Sequence, residues 1–193
     1  MGKTIILILA VLTTALIGCG GPKTMQGTTP GEIPIWYENP PKDPNFLYAP
    51  NSQVSQDMQL AMDKATTDGR REIAAQQEVR VQALQKKFDE ETGFGKDAEL
   101  LQQFTQVTKT VVSTVLNGCR MINSKVVRDG EMWRAYVLME YPVGAANQAF
   151  VQQLKANEKL YTRFRSTQAF KELEEEVAKY EEFKKQQGGM PEK

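Results

Sequence analysis

CRMINSKVVRDGEMWRAYVLMEY, residues 119–141, contains two runs rich in apolar residues, separated by the pair Asp129-Gly130. Glycine tolerates the positive φ of a tight turn, so Asp-Gly between two such runs predicts a β-hairpin. Successive side chains of a strand point to opposite faces, so alternate residues of the second run share a face. We expect one face to meet helices, namely Trp133, Ala135, Val137, Met139 and Tyr141, and the other to consist of Met132, Arg134, Tyr136, Leu138 and Glu140.

Two long helices are predicted before the hairpin. The first begins with Ser55 as its N-cap and ends near Glu91, a length of about 50 Å at 1.5 Å per residue. Its small residues Ala61, Ala65 and Gly69 allow close approach to a sheet. The second begins with Asp97 in the cap position, but its β-branched end, residues 110–115, could instead form a strand.

The remaining elements lie at either end of this unit. Phe46-Leu47-Tyr48-Ala49 predicts a short strand that Pro50 stops, and residues 143–187 predict one long helix without an internal Gly or Pro. Apolar residues recur along this helix at near-heptad spacing, which requires a partner helix in the same chain or in a second copy. They are Phe150, Leu154, Tyr161, Phe164, Phe170, Leu173, Val177 and Tyr180.

These elements predict an α+β fold. A small antiparallel sheet, formed by the short N-terminal strand and the C-terminal hairpin, packs on long helices and is followed by a long C-terminal helix. The predicted organisation is an α+β domain at 46–142, a long C-terminal helix at 143–187 and a disordered tail at 188–193.

Residues 19–45 contain most of the nine prolines, with Gly and Thr and no apolar period, which is typical of a tether. Within it, Trp36 and Tyr37 either dock to a partner or the membrane interface, or pack back on the domain. The other candidate interaction residues are Trp133, Phe164, Phe170 and Val177.

The N-terminus has the layout of a secretory signal over residues 1–18. Lys3 supplies a positive charge, and the apolar run Ile5–Ile17 is shorter than the about 20 residues that a membrane span requires. Leu16, Ile17 and Gly18 before Cys19 resemble the lipobox of bacterial lipoproteins. The alternative is an uncleaved anchor or an ordinary signal with a chance cysteine.

The lipobox resemblance implies that a signal peptidase recognises Leu16, Ile17 and Gly18 and cuts before Cys19. Cys19 would then carry a covalent diacylglycerol and an N-acyl chain, typically palmitate, which anchor the chain to membrane lipid durably. Gly20 stands where many lipoproteins of the inner membrane carry Asp, so the expected address is the outer membrane, on its periplasmic side.

Composition excludes several classes of function. The 24 basic and 24 acidic residues cancel, which disfavours nucleic acid as a partner. The chain has no histidine, so it lacks a Ser-His-Asp triad and a His-based metal site. With Cys19 lipidated, Cys119 has no disulfide partner in its own chain, and we expect a small buried core residue, with an intermolecular disulfide as the alternative. No cofactor is predicted.

The order of motifs over residues 33–142 resembles the LPP-type small outer-membrane lipoproteins, a family that includes FlgP-like flagellar basal-disk lipoproteins. The resemblance lies in Trp36-Tyr37-x-x-Pro40-Pro41, in Leu47-Tyr48-Ala49, in the helix segment Ala61 to Ala74 and in the hairpin end Tyr136 to Pro142. It implies a small α+β domain, outer-membrane attachment and, for the FlgP-like members, self-assembly into rings or disks around the motor. Envelope or flagellar proteins are the further partners that this resemblance implies.

The leading hypothesis is a non-enzymatic structural lipoprotein that scaffolds an envelope assembly by self-association, because the seam at 143–187 lacks a partner and no catalytic signature is present. The alternative is a monomeric binding module for a periplasmic glycan, lipid or protein, which requires the C-terminal helix to pack on its own chain. A hydrolase that uses carboxylates alone is a third hypothesis, and it requires two acids in one pocket.

Overall fold

The computed structural model describes residues 33–188, with side chains described as far as residue 186. The predicted signal segment, the lipobox residues 16–18 and Cys19 lie outside the described residues, as do residues 189–193. The described chain is α+β, as predicted, with six α-helices and one three-stranded antiparallel sheet.

The buried hydrophobic residues form two clusters, one among the helices and one where helices pack on the sheet. Their bounds are α1 Ile35–Glu38, β1 Phe46–Ser55, α2 Met58–Thr92, a 3-10 turn Phe94–Lys96, α3 Ala98–Gly118, β2 Arg120–Asp129, β3 Met132–Pro142, α4 Val143–Ala156, α5 Glu158–Phe164 and α6 Gln168–Gly188.

The predicted hairpin is confirmed. β2 and β3 pair antiparallel around Gly130, whose φ of 62° is the positive value expected of the turn. β1 pairs antiparallel with the other side of β3, so the strand order is β1-β3-β2 and the hairpin's second strand is central. A register shift between Met121 and Asn123 interrupts the otherwise regular pairing of β2.

β1 is longer than predicted. Pro50 does not stop the strand, which continues to Ser55, and Pro50 lies opposite Leu138 of β3. Proline is tolerated here because β1 is an edge strand, where a missing backbone donor costs no ladder bond on the open side. The N-cap of α2 is therefore Asp57, which accepts a hydrogen bond of 2.7 Å from the Leu60 backbone, and not Ser55.

The first half of α2 lies against the sheet. Ala61 and Ala65 are fully buried, and a Cβ added to Gly69 would lie 2.6 Å from Cγ of Met139 in β3. The small residues thus permit the close approach predicted for them. The face of β3 predicted to meet helices is the one packed here, with Ala135, Val137, Met139 and Tyr141 buried and Trp133 partly buried.

The second half of α2 packs on helices around a group of phenylalanines. Phe88 of α2 stacks on Phe164 of α5 with ring centroids 4.4 Å apart, and Phe104 of α3 meets Phe150 of α4 at 5.7 Å. α3 remains helical through residues 110–115, so the strand alternative for that stretch is not adopted. Its Asp97 cap is confirmed, because Oδ1 accepts from the Glu99 and Leu100 backbones.

The predicted single helix at 143–187 is three helices. Asn157 ends α4 and caps α5 by accepting from the Leu160 backbone at 3.1 Å. Thr167 caps α6 by accepting from the Phe170 backbone at 3.2 Å. Polar caps of this kind end a helix without Gly or Pro, so the absence of both residues from 143–187 did not mean one continuous helix.

The apolar residues at near-heptad spacing in 143–187 pack against other helices of the same chain. Of these, Phe150, Leu154, Phe164, Phe170 and Leu173 are buried in the helical core, beside Phe88 and Phe104. Glu91 at the end of α2 fixes the start of α6, because its carboxylate accepts from the Gln168 and Ala169 backbones at 2.7 and 2.9 Å. The long C-terminal helix α6 is therefore an intrachain element.

The predicted tether does not extend to residue 45. α1 lies on the face of the sheet opposite to α2, where the Tyr37 ring is 5.0 Å from that of Tyr136 and its hydroxyl donates to Ser52 at 3.4 Å. This contact explains why Tyr136 is only 4% exposed on a face that the strand pattern left unassigned. Tyr37 thus packs back on the domain.

Cys119 follows α3 and is buried, as predicted. Its thiol donates to the Val115 carbonyl at 3.0 Å, and burial raises the pKa of the thiol to about 11. The neutral thiol is therefore the dominant form at ordinary pH, which is the behaviour of a packed core residue and not of a nucleophile.

Candidate binding cleft

A cleft lies between α2, α6 and the first turns of α4, close to the start of β1. α4 follows β3 without a loop, and its first residue, Val143, donates its backbone N–H to the Asn45 carbonyl at 2.8 Å. This bond holds the first turn of α4 beside the start of β1. The position of α4 then fixes one wall of the cleft, and α2 and α6 supply the others.

The separation of α4 and α6 depends on a glycine. A Cβ built at Gly144 would lie 2.2 Å from Cγ of Tyr180 and 2.4 Å from its Cβ, far inside van der Waals contact. The tyrosine ring of α6 therefore rests directly on the backbone of α4. Burial raises the pKa of Tyr180 above its ordinary value, and the nearby charge of Arg120 acts in the opposite direction.

A buried asparagine joins the same two helices at the base of the cleft. Asn147 is 3% exposed, and its Nδ2 donates to Oε2 of Glu176 at 2.6 Å. Hydrogen bonds to a charged group are among the stronger ones, so this contact orients the Glu176 carboxylate toward α4. Glu176 is thereby committed to a structural contact.

The cleft contains two adjoining cavities, of about 280 Å³ and about 210 Å³, that share Arg80, Asn147 and Glu176. The first is bordered by apolar side chains on several sides, including Phe46, Val143, Tyr180 and Phe183. The second is bordered by Ala83, Leu84, Ala169 and Leu173. Concave sites of mixed character at the junction of several elements are where small ligands typically bind.

One ion pair borders the second cavity. Lys87 lies 3.3 Å from Glu172, and hydrogen bonds from Gln168 and Lys87 hold the pKa of Glu172 below its ordinary value. Further along, Lys155 pairs with Glu174 at 2.6 Å. Arg80, by contrast, lies in both cavities half-buried, and within residues 33–188 its guanidinium has neither an ion pair nor a hydrogen bond.

The residues predicted to mediate interaction are not brought together. Trp36 is half-buried beside Tyr37, and Trp133 is half-buried at the hairpin, with the Arg128 guanidinium 4.2 Å from its ring centroid. Phe164 and Phe170 are 0% and 1% exposed, so they are core residues and their assignment to a partner surface is corrected. Val177 packs, partly buried, against the same core.

Sequence reasoning missed Arg80 and Asn147. For Asn147 a signal was present, because it falls on the apolar stripe of α4 that Val143, Phe150 and Leu154 also occupy. A polar residue on such a stripe is buried and requires a partner, here Glu176. For Arg80 no local signal existed, since it is one of many charged residues on α2 and its place in the cleft depends on α6.

Among residues 33–188 no helix combines the length and the apolar character required to cross a bilayer, and no three metal-binding side chains of the His, Cys, Asp or Glu type converge. Comparison of the chain with protein-family models, with curated proteins and with solved structures finds no match.

Proposed function

We propose that this protein is a non-enzymatic, lipid-anchored envelope protein that binds a small ligand in the cleft between α2, α4 and α6. The observation that carries the proposal is the cleft itself, with its buried Asn147, its apolar walls and the unpaired Arg80. A site that combines apolar walls with a few fixed polar groups suits binding and orientation of a ligand.

The position of α6 favours a monomeric binding module and disfavours a scaffold that assembles through this helix. Self-association was predicted because the seam of the C-terminal segment lacked a partner, but those residues are packed inside the chain's own core. Self-association stays a prediction, and it would have to use another surface. The proposed unit of function is a single chain.

The anchor and the address are part of the same proposal. The spacing of Lys3, the apolar run and Cys19, together with the resemblance to LPP-type lipoproteins, supports lipidation at Cys19 and attachment to the periplasmic side of the outer membrane. Membrane lipid would then be one partner, and envelope or flagellar proteins are further candidates.

The anchor predicts a specific pattern of labelling. In cells grown with radiolabelled palmitate, we expect the protein to carry label and the Cys19→Ser variant to carry none, because the serine hydroxyl does not replace the thiol as the lipid acceptor. Cys119→Ser is the matched control, since it removes the only other cysteine. Equal label on the Cys19→Ser variant would contradict the anchor.

The binding function predicts that the protein extracted from membranes retains a small molecule in native mass spectrometry. Ala83 is exposed and borders the second cavity, so the indole of Ala83→Trp is expected to fill this part of the cleft and remove the bound mass. Ala75→Trp places the same ring on an exposed position of α2 that borders neither cavity, and it should retain the ligand.

Two results would count against a binding role for the cleft. One is protein that carries no small molecule in any preparation from native membranes. The other is a bound mass that persists unchanged both in Ala83→Trp and in Phe183→Ala, which alter the second and the first cavity, because that ligand would then occupy a different part of the protein.

A further inference from the structure

Arg80 is the half-buried cation that both cavities share, and it lacks a counter-charge among residues 33–188. Lys87 in the second cavity has Glu172 at 3.3 Å, whereas Glu176, the acid shared by both cavities, already accepts from Asn147. No carboxylate oxygen of residues 33–188 lies within ion-pair distance of the Arg80 guanidinium. A half-buried guanidinium without a partner leaves five N–H donors directed to water or to a ligand.

The surroundings of Arg80 restrict what that ligand can be. Lys179 borders the first cavity on α6 and also forms no ion pair within the described chain, so this cavity has an excess of positive charge. Phe46, Tyr180 and Phe183 border it with aromatic rings. A ligand that satisfies both features has an anionic group at one end and an apolar body of a few carbons.

Cavity size sets the scale of the ligand. A volume of about 280 Å³ falls slightly below the range of about 300–1,000 Å³ that drug-sized ligands occupy. It suits a short acyl chain or a single ring, and the adjoining cavity of about 210 Å³ provides room for a longer chain. A planar guanidinium binds carboxylate and phosphate oxygens with two parallel hydrogen bonds, which favours these two head groups.

We infer that the cleft binds a small amphiphile whose carboxylate or phosphate group is held by Arg80 and whose apolar part lies among Phe46, Tyr180 and Phe183. This inference rests on the proposed function, because it names the chemical class of the ligand for the same cleft. The head group could belong to a membrane lipid or to a free anion.

The test uses the full lipid-anchored protein in nanodiscs of uncharged lipid, titrated with hexanoate, hexyl phosphate and hexanol and followed by ligand-observed NMR. Empty nanodiscs supply the blank for partition into the bilayer. We expect at least one of the two anions to bind about 10-fold or more tightly than hexanol, because a hydrogen-bonded charge contributes that much to affinity.

Arg80→Gln is expected to reduce the affinity for the anion about 10-fold, to the level of hexanol, and Arg80→Lys to retain part of it because the charge remains. Arg165→Gln is the matched control, since Arg165 is exposed and borders neither cavity. A second titration in discs that contain anionic phospholipid separates the sources: competition with the added anion identifies a lipid head group, and its absence identifies a free anion.

The possible outcomes distinguish failure of the inferred ligand class from failure of the proposed binding function. If hexanol binds as well as the anions, or Arg80→Gln leaves the affinities of the anions unchanged, the anion class is overturned and binding in the cleft stands. If Phe183→Ala, which removes an apolar side chain bordering the first cavity, does not change the binding of any of the three probes, or none of them binds, both the inference and the proposed function fail.

Discussion

Replacing Phe164 with alanine is expected to lower the free energy of unfolding by about 3–5 kcal/mol, the usual cost of removing a fully buried aromatic ring. The ring is 0% exposed and stacks on Phe88 at 4.4 Å. It also meets Phe94 at 5.0 Å and Phe104 at 6.1 Å, so its loss opens a void among three other rings. Equilibrium unfolding of the full chain in urea measures the change.

Phe183→Ala is the control for Phe164→Ala. Phe183 lies near the end of α6, is half-buried and borders the cleft instead of the core. Its removal should cost less than about 1.5 kcal/mol, because little apolar area leaves a packed environment. Equal losses in the two variants would show that α5 is not docked as described and that the intrachain seam is misplaced.

Gly144→Ala is expected to displace Tyr180 and to loosen α6, even though alanine is the better helix former. The added Cβ would lie 2.2–2.5 Å from three atoms of Tyr180, including its own Cβ, so the clash is with the base of the side chain and α6 itself must move. Overpacking of this kind typically costs about 1–3 kcal/mol. The gain in helix propensity offsets at most about 1 kcal/mol of it.

A double-mutant cycle tests this contact. Tyr180→Ala alone loses the packing of a partly buried ring, and in the double variant Gly144→Ala/Tyr180→Ala the new methyl group meets open space. We expect the effect of Gly144→Ala to become neutral or stabilising in the Tyr180→Ala background, with a coupling energy above about 0.5 kcal/mol. Urea unfolding and limited proteolysis at Lys179 and Lys184 report global and local stability, and strictly additive effects would refute the contact.

Much of the fold could be predicted from local patterns. The hairpin was predicted because an Asp-Gly turn and alternating apolar residues require the same structure. The close approach of α2 to the sheet followed from its small residues, and the start of α3 followed from Asp97 in the cap position. Such signals are contained in short windows, so they survive without knowledge of the rest of the chain.

The misassigned boundaries share a physical cause. Pro50 ends a central strand but not an edge strand, and the position of β1 in the sheet is set by β3, about 90 residues away in sequence. Asn157 and Thr167 cap helices only because the core requires the chain to turn at those points. Tyr37 lies in a segment with tether-like composition, yet Tyr136 offers it a ring to pack against.

The candidate site could not be predicted because it, too, depends on contacts between distant parts of the chain. Arg80, Asn147 and Glu176 come from three helices and meet only after α6 has folded back on α2. None of the three stands out from the residues that flank it in the sequence. Charge pairing along α2 and α6 is decided between helices, so the absence of a partner for Arg80 is a property of the tertiary structure alone.

The bond between Val143 and Asn45 has a mechanical consequence. The chain reaches the cleft soon after it enters the described domain, since Asn45 and Phe46 border the first cavity. If the N-terminal end is held, tension on the domain enters through α1 and the start of β1. The contact of Tyr37 with Tyr136 lies at this point of entry.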